Sequence, residues 1–215
     1  MISRAIIIRR LELVAAALLV AVGSLAAWAI APFTITPTTT VRAAGQIVRA
    51  PFAERIIIGD SRIEFAEPVE NALLIGYAGA TTREMERMVH LTCSLSDAPM
   101  VIALGINDTI PQMTDLAASQ ASIERAIAAC GAERVAISGI WLPDPQVEPL
   151  GNIYDLETLA RLDALLEQVA LENGAAFVPA PAALSGHTFD GAHFTPGVSR
   201  DYTATLLAGL ADRGA

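Results

Sequence analysis

The sequence predicts an α/β domain with about five mostly parallel strands, preceded by one N-terminal apolar helix. Two observations predict this fold class. From about residue 54 onward, short apolar runs typical of buried strands alternate with amphipathic segments. The one long apolar stretch lies before that point, between residues 11 and 32. A chain of 215 residues has room for one ordinary domain and one appended segment.

The apolar stretch of residues 11–32 carries a single charge, Glu12, and follows three arginines. A helix of roughly 20 apolar residues can cross a bilayer, and preceding arginines favour a cytoplasmic N-terminus. We therefore interpret residues 1–33 as a single-pass membrane anchor that leaves the domain outside the cytoplasm, on the periplasmic or extracellular side. The alternative is a signal peptide, which shares the basic start and the apolar core.

Residues 34–53 contain many threonines, two prolines and one glycine, with little hydrophobic periodicity. This composition is typical of a linker, and it places the folded domain at residues 54–215. Acidic residues outnumber basic ones by 23 to 14, giving a formal net charge of -9. Such a surface repels phosphate backbones, so we expect no nucleic-acid partner.

Five apolar runs are predicted strands, at residues 55–58, 72–75, 100–104, 135–140 and 175–178. Helical stripes at residues 82–92, 116–130 and 156–169 lie between these runs, and a final amphipathic segment at residues 199–211 closes the chain. Thr81 and Glu84 form a capping box before the first stripe, and Gly131 ends the second. Ligands of such sheets bind beyond the carboxyl ends of the strands, so the residues with chemistry should follow the apolar runs.

Cys93 and Cys130 each fall near the end of a predicted helix. An exported location would permit them to form a disulfide, provided that the two helices are neighbours. Packing as two small buried residues is the alternative.

Three polar segments follow the first three predicted strands. Ser61, in Gly59-Asp60-Ser61-Arg62, is a candidate nucleophile, because a serine on a tight strand-to-helix turn presents its hydroxyl outward. Gly79 could offer a free backbone N–H to a substrate oxygen, and Asn107 a side-chain amide. Taken singly, each segment also fits an ordinary turn.

A fourth segment places Asp190 and His193 three residues apart, before the last helix. The carboxylate can bind one ring nitrogen and leave the other for Ser61, which is the orientation that a general base requires. His90, within a predicted helix, and His187, which lacks a carboxylate at such a spacing, are interpreted as surface or packing residues.

These four segments, in this order, resemble the sequence blocks of the GDSL or SGNH hydrolases, which are named for serine, glycine, asparagine and histidine. The likeness covers about residues 56–210, and Arg62 stands where the family has leucine. The resemblance implies a flavodoxin-like three-layer α/β/α sandwich. It also implies that Ser61 is the nucleophile of a triad with Asp190 and His193. The Ser61 N–H, the Gly79 N–H and the Asn107 amide would then form the oxyanion hole.

The activity that the resemblance implies is hydrolysis of carboxylic esters through an acyl-enzyme, with no metal or organic cofactor. Asp60 and Asp108 would tie loops together, and Arg62 has no assigned role. The apolar loop of residues 141–153 follows the fourth strand, and Trp141 in it is a candidate substrate contact. We expect short acyl groups on a polysaccharide or lipid of the cell envelope. Open alternatives are a lipase, lysophospholipase or thioesterase of the same family, and an inactive scaffold that binds a glycan or a protein.

Overall fold

A computed structural model describes residues 4–33, 36–181 and 186–211, and it confirms the predicted fold class. The five strands are β1 (Arg55–Gly59), β2 (Ala72–Gly76), β3 (Met100–Ala103), β4 (Val135–Ser138) and β5 (Ala176–Val178). They form one sheet in the order β2-β1-β3-β4-β5, and every neighbouring pair is parallel. This is the flavodoxin-like order, in which β1 lies inside the sheet and β2 at its edge.

Seven α-helices occur in the described part of the chain: α1 (Arg4–Ala29), α2 (Pro37–Arg49), α3 (Ser61–Glu64), α4 (Thr82–Leu95), α5 (Leu116–Cys130), α6 (Leu156–Glu172) and α7 (Pro196–Ala211). The predicted capping box is present, because the Thr81 side chain accepts from the Glu84 N–H and the Glu84 side chain accepts from the Thr81 N–H. Gly131 ends α5 at a φ of +87°, as predicted.

Alternate residues of each strand face opposite sides of the sheet. Ile56 and Ile58 enter the larger core, which α2, α4, α5 and α6 cover. Ile57 enters the smaller core, where α7 packs with Trp141 and Phe194. Helices therefore cover both faces, as a three-layer sandwich requires.

Residues 37–49, expected to be part of a linker, form helix α2. Thr36 and Thr39 build its capping box, and Pro37 occupies the first turn, where a proline is tolerated. Gln46 donates from Nε2 to the Leu74 carbonyl at 3.2 Å, so α2 also covers the exposed edge of β2. A threonine-rich segment has a weak intrinsic propensity to form a helix, so packing on the domain supplies most of the stability of α2. The division into residues 1–33, 34–53 and 54–215 stays a prediction.

Helix α1 contains a 20-residue segment, Arg10–Ala29, that is long and apolar enough to cross a membrane. A signal sequence meets the same criterion. The C-terminal end of this helix contacts the domain, because Ala26, Ala29 and Ile30 are buried in the larger core. Just beyond it, the Phe33 ring stacks on Tyr77 with centroids 5.3 Å apart.

Cys93 and Cys130 form a disulfide that joins the C-terminal parts of α4 and α5, 37 residues apart in sequence. The two helices are neighbours, which was the condition for the pairing. The bond restricts the unfolded chain, and a loop of this length corresponds to about 2–4 kcal/mol of stabilisation.

Replacing both cysteines by alanine should lower the free energy of unfolding by about 2–4 kcal/mol, measured by urea denaturation of the oxidised proteins. Reductant should lower the midpoint of the wild type and leave that of the Cys93→Ala, Cys130→Ala variant in place. An equal response of both proteins to reductant would contradict a stabilising disulfide.

Candidate active site

Three loops begin at one edge of the sheet because of the parallel register. Gly59, the last residue of β1, is paired with Gly76 of β2 and with Ala103 of β3. The segments that contain Ser61, Gly79 and Asn107 therefore leave the sheet at the same height. The predicted clustering at the carboxyl ends of the strands is present in the structure.

Ser61 is the first residue of the short helix α3. Asp60 caps this helix, since its Oδ1 accepts from the Arg62 N–H at 2.8 Å. Burial raises the pKa of Asp60, and the Arg62 charge acts in the opposite direction. A Cβ at Gly76 would collide with the backbone of Ile63 and Glu64, so glycine lets α3 lie directly against β2.

Asp190 and His193 are hydrogen-bonded to each other in the loop before α7. Oδ2 of Asp190 lies 2.7 Å from Nδ1 of His193, and its Oδ1 accepts from the backbone N–H of Ala192 at 3.0 Å and of His193 at 2.8 Å. Burial raises the pKa of Asp190, but these hydrogen bonds outweigh it and hold that pKa below its usual value. With Nδ1 bound to the carboxylate, Nε2 is the ring nitrogen left for chemistry.

Backbone hydrogen bonds from the loop of residues 141–153 hold the turn that carries Asp190 and His193. The N–H of Asp144 donates to the Gly191 carbonyl at 2.8 Å, and the N–H of Leu150 donates to the Asp190 carbonyl at 2.9 Å. Gly191 has a φ of +94°, and a Cβ there would collide with the backbone of this loop. The close approach of two backbones explains the glycine between Asp190 and His193.

The Trp141 side chain lies elsewhere than expected. It is 5% exposed, and its ring packs against Phe194 at 5.5 Å and Tyr202 at 5.0 Å, between centroids. The indole thus belongs to the smaller core beneath the site and does not form a wall for substrate. A loop's apolar composition cannot tell which of its side chains face inward.

Ser61 and His193 face one cavity of about 370 Å³. The residues that line it are Ser61, Arg62, Phe65, Glu67, Phe189, His193, Phe194, Pro196 and Ser199. In the part of the chain that the structure describes, neither the Ser61 hydroxyl nor Nε2 of His193 has a hydrogen-bond partner. The candidate nucleophile and the candidate base therefore border the same space, which has the size of a small-molecule pocket.

Gly79 and Asn107 are not among the residues that line this cavity. Gly79, at a φ of +75°, lines an adjacent cavity of about 350 Å³ together with Glu64. Glu64 accepts from the Ala78 N–H and pairs with Arg42 of α2, so the N-terminal part of the chain braces this loop. Asn107 donates one amide hydrogen to the Ala80 carbonyl at 3.0 Å, which leaves the second hydrogen for another acceptor.

Arg62, for which the sequence predicts no role, is a buried side chain that connects its own segment to the segments of Ala192 and Trp141. Its side chain is buried at 5% exposure; Nε donates to the Ala192 carbonyl at 2.9 Å, and Nη1 to the Trp141 carbonyl at 2.6 Å. The guanidinium lies 4.4 Å from the Phe194 ring centroid. Burial lowers the pKa of Arg62, while the nearby Asp60 carboxylate opposes that shift. The residue after Ser61 thus holds the segment that carries His193.

Asp108 ties loops, as expected, and is fully buried. It accepts from the Thr82 N–H at 3.0 Å, the Thr82 hydroxyl at 2.6 Å and the Ser119 hydroxyl at 2.6 Å.

The other two histidines do not line the cavity that Ser61 and His193 share. His187 donates to the Leu142 carbonyl at 2.8 Å, and His90 lies within α4. In the ranges that the structure describes, no group of three or more histidine, cysteine and acidic side chains is placed to hold a metal ion.

Comparisons with known proteins address the fold. No protein-family model and no curated sequence matches the chain. A Bacteroides fragilis protein described as an acylhydrolase has a TM-score of 0.64 at 20% identity, over 80% of this chain and 95% of that one. The lipase/acylhydrolase from Enterococcus faecalis gives 0.62 at 18%, over 74% and 96%. An acetylxylan esterase from Geobacillus stearothermophilus, Axe2, gives 0.54 at 13%, over 74% and 94%. At these identities the likeness shows a shared fold.

Replacing Arg62 by methionine should cost roughly 3–5 kcal/mol of stability, because two buried carbonyls lose their donor and Asp60 loses its neighbouring cation. Thermal and urea unfolding would measure the loss. The control is Arg200→Met, since Arg200 is 63% exposed and forms only a surface pair with Glu67 at 3.7 Å. That change should stay within about 0.5 kcal/mol. Equal effects of the two substitutions would contradict the structural role of Arg62.

Replacing Asp190 by asparagine should destabilise the protein in a pH-dependent way. The pKa of the folded Asp190 carboxyl is depressed, whereas an unfolded aspartate has a pKa of about 3.9. The carboxylate's stabilisation is therefore complete above about pH 4 and is lost as the pH falls through the folded pKa. The difference in unfolding free energy between wild type and variant should shrink in that range. A difference that stays constant down to pH 2 would contradict this assignment.

Proposed function

We propose that the protein is a serine esterase that hydrolyses carboxylic esters through a Ser61-His193-Asp190 triad. The observation that carries the proposal is the shared cavity. Ser61 and His193 border it together, and Asp190 holds Nδ1 of the imidazole at 2.7 Å. That hydrogen bond fixes the tautomer in which Nε2 can accept a proton. The solved structures with this fold include proteins described as acylhydrolases and esterases, which is consistent with such a site.

In the proposed reaction, His193 takes the Ser61 proton while the serine oxygen bonds to the ester carbonyl carbon. The tetrahedral intermediate collapses, the bond to the alcohol oxygen breaks, and His193 gives its proton to that oxygen. Water then repeats the sequence on the acyl-enzyme and releases the acid. Asp190 stays ionised and stabilises the imidazolium in both halves, in keeping with its lowered pKa.

The proposed oxyanion hole consists of the Ser61 N–H, the Gly79 N–H and the Asn107 amide. Ser61 starts α3, so its N–H has no intrahelical acceptor. Gly79 is held by its neighbour Ala78, whose N–H is fixed by Glu64. Asn107 is 4% exposed and reaches the same loop through Ala80. A rigid donor set of this kind contributes roughly 10²–10³ in kcat per donor.

We further propose that the enzyme is anchored by α1, with its domain outside the cytoplasm. The 20-residue apolar segment supports an anchor, and the disulfide supports an oxidising compartment. An outward-facing esterase at a membrane suggests substrates of the cell envelope with short acyl groups. A lipase, lysophospholipase or thioesterase would use the same triad. A series of p-nitrophenyl esters of rising chain length measures the acyl chain that the enzyme prefers, and so separates a short-chain esterase from a lipase.

The decisive variant is Ser61→Ala in the full-length protein. Hydrolysis of p-nitrophenyl acetate should fall by about 10⁴-fold or more, because the covalent path is lost. A serine-directed phosphonate should label the wild type once, at Ser61, as read by mass spectrometry. Ser199→Ala removes the other serine hydroxyl of the same cavity and should keep both the label and most of the turnover.

Unchanged turnover in Ser61→Ala would overturn the proposed nucleophile. No turnover and no phosphonate label in the wild type would instead favour the inactive scaffold that binds a glycan or a protein.

A further inference from the structure

Two exposed phenylalanines flank the imidazole of His193. Phe65 follows α3 directly and is 62% exposed, and Phe189 precedes Asp190 and is 64% exposed. The ring centroid of Phe65 lies 5.2 Å from that of His193 in an edge-on arrangement, and that of Phe189 lies 5.9 Å away in a stacked one. Single exposed apolar residues are ordinary on a surface. Two of them around one titratable ring, inside a cavity, point to a ligand.

The wall around these rings is mostly apolar. Phe194 and Pro196 continue it, while Glu67 and Ser199 are also among its lining residues. Nε and Nη1 of Arg62 donate to two backbone carbonyls, and Nη2 is buried away from solvent with no hydrogen-bond partner among the described residues. Charged side chains collect instead in the cavity beside Gly79, where Arg42, Glu64 and Glu84 lie. The two cavities thus differ in their lining, which is mostly apolar beside His193 and charged beside Gly79.

The reaction decides which part of the ester meets the phenylalanines. A base that takes the serine proton returns it to the leaving oxygen, so that oxygen must lie against Nε2 of His193. The carbonyl oxygen would instead face the proposed oxyanion hole of Ser61, Gly79 and Asn107. Groups beside His193 therefore contact the alcohol part of the ester.

We propose that Phe65 and Phe189 form the binding site for the alcohol part of the substrate, and that this part is an apolar alkyl or aryl group. The inference rests on the proposed esterase function and adds the substrate class to it. Stacking on the two rings removes apolar area of enzyme and substrate from water together. Among envelope molecules, an ester of an apolar alcohol would fit this site better than an acetylated sugar.

The test compares two acetate esters with the full-length protein in one mild detergent. Benzyl acetate and 2-methoxyethyl acetate share the acyl group and both release a primary alcohol, but only the first has an apolar ring. We expect kcat/KM for the wild type to favour benzyl acetate by about 10-fold or more. Phe65→Ser and Phe189→Ser should each narrow that ratio several-fold, whereas Phe65→Leu and Phe189→Leu should keep most of it.

Phe52→Ser is the matched control, because Phe52 is 84% exposed and lines a different cavity with Glu54 and Asn71. It should leave the ratio unchanged. Equal kcat/KM values for the two esters in the wild type would overturn the inference, as would serine variants that lower both values by the same factor. Absence of hydrolysis of either ester, with no phosphonate label on Ser61, would instead overturn the esterase function itself.

Discussion

The parallel register of β1 with both of its neighbours is the constraint on which the site depends. Gly59, Gly76 and Ala103 are paired across the sheet, so the loops after β1, β2 and β3 leave at one level. The helical crossovers return the chain to the opposite edge of the sheet before each following strand, which leaves the carboxyl edge free for irregular segments. The segments that contain Ser61, Gly79 and Asn107 therefore begin at one edge of the sheet, although they are far apart in sequence. A slip of one residue would move each side chain to the other face.

Buried polar side chains then hold these loops in place. Asp60, Arg62 and Asp108 are each 5% exposed or less. The bonds of Arg62 and Asp108 join segments that are separate in the chain, whereas Asp60 caps α3 locally. A buried charge is costly unless it is hydrogen-bonded, and in a loop it removes alternative conformations because few of them satisfy it. Arg62 illustrates this, since it connects the turn that carries Ser61 to the segment that carries His193. The geometry of the proposed triad thus depends on a residue outside it.

The residues around the site form one polar region and one apolar region. On one side, Arg42 of α2, Glu64 and Ala78 form a polar chain of contacts that links the N-terminal helices to the Gly79 loop. On the other, Phe65 and Phe189 form an apolar border around His193. Helix α2 therefore contributes to the domain itself, because it packs on β2 at the edge of the sheet. The proposed oxyanion hole on the polar side and the proposed alcohol site on the apolar side would together suit an ester with a small acyl group and an apolar alcohol.

The sequence by itself determined the α/β class, the five strands, helices α4 to α7 and which loops carry Ser61, Gly79, Asn107, Asp190 and His193. These features have local causes, which are apolar periodicity, a capping box at Thr81, a helix stop at Gly131 and polar residues directly after strands. Helix α2 escaped prediction because its stability comes from contacts with β2 and the core, and not from its threonine-rich composition. The directions of side chains likewise depend on tertiary contacts. Whether Trp141 faces substrate or core, whether Arg62 is solvated or buried, and whether Cys93 meets Cys130 depend on neighbours distant in sequence. Only the tertiary structure decides these points, because burial and pairing are properties of the packed chain.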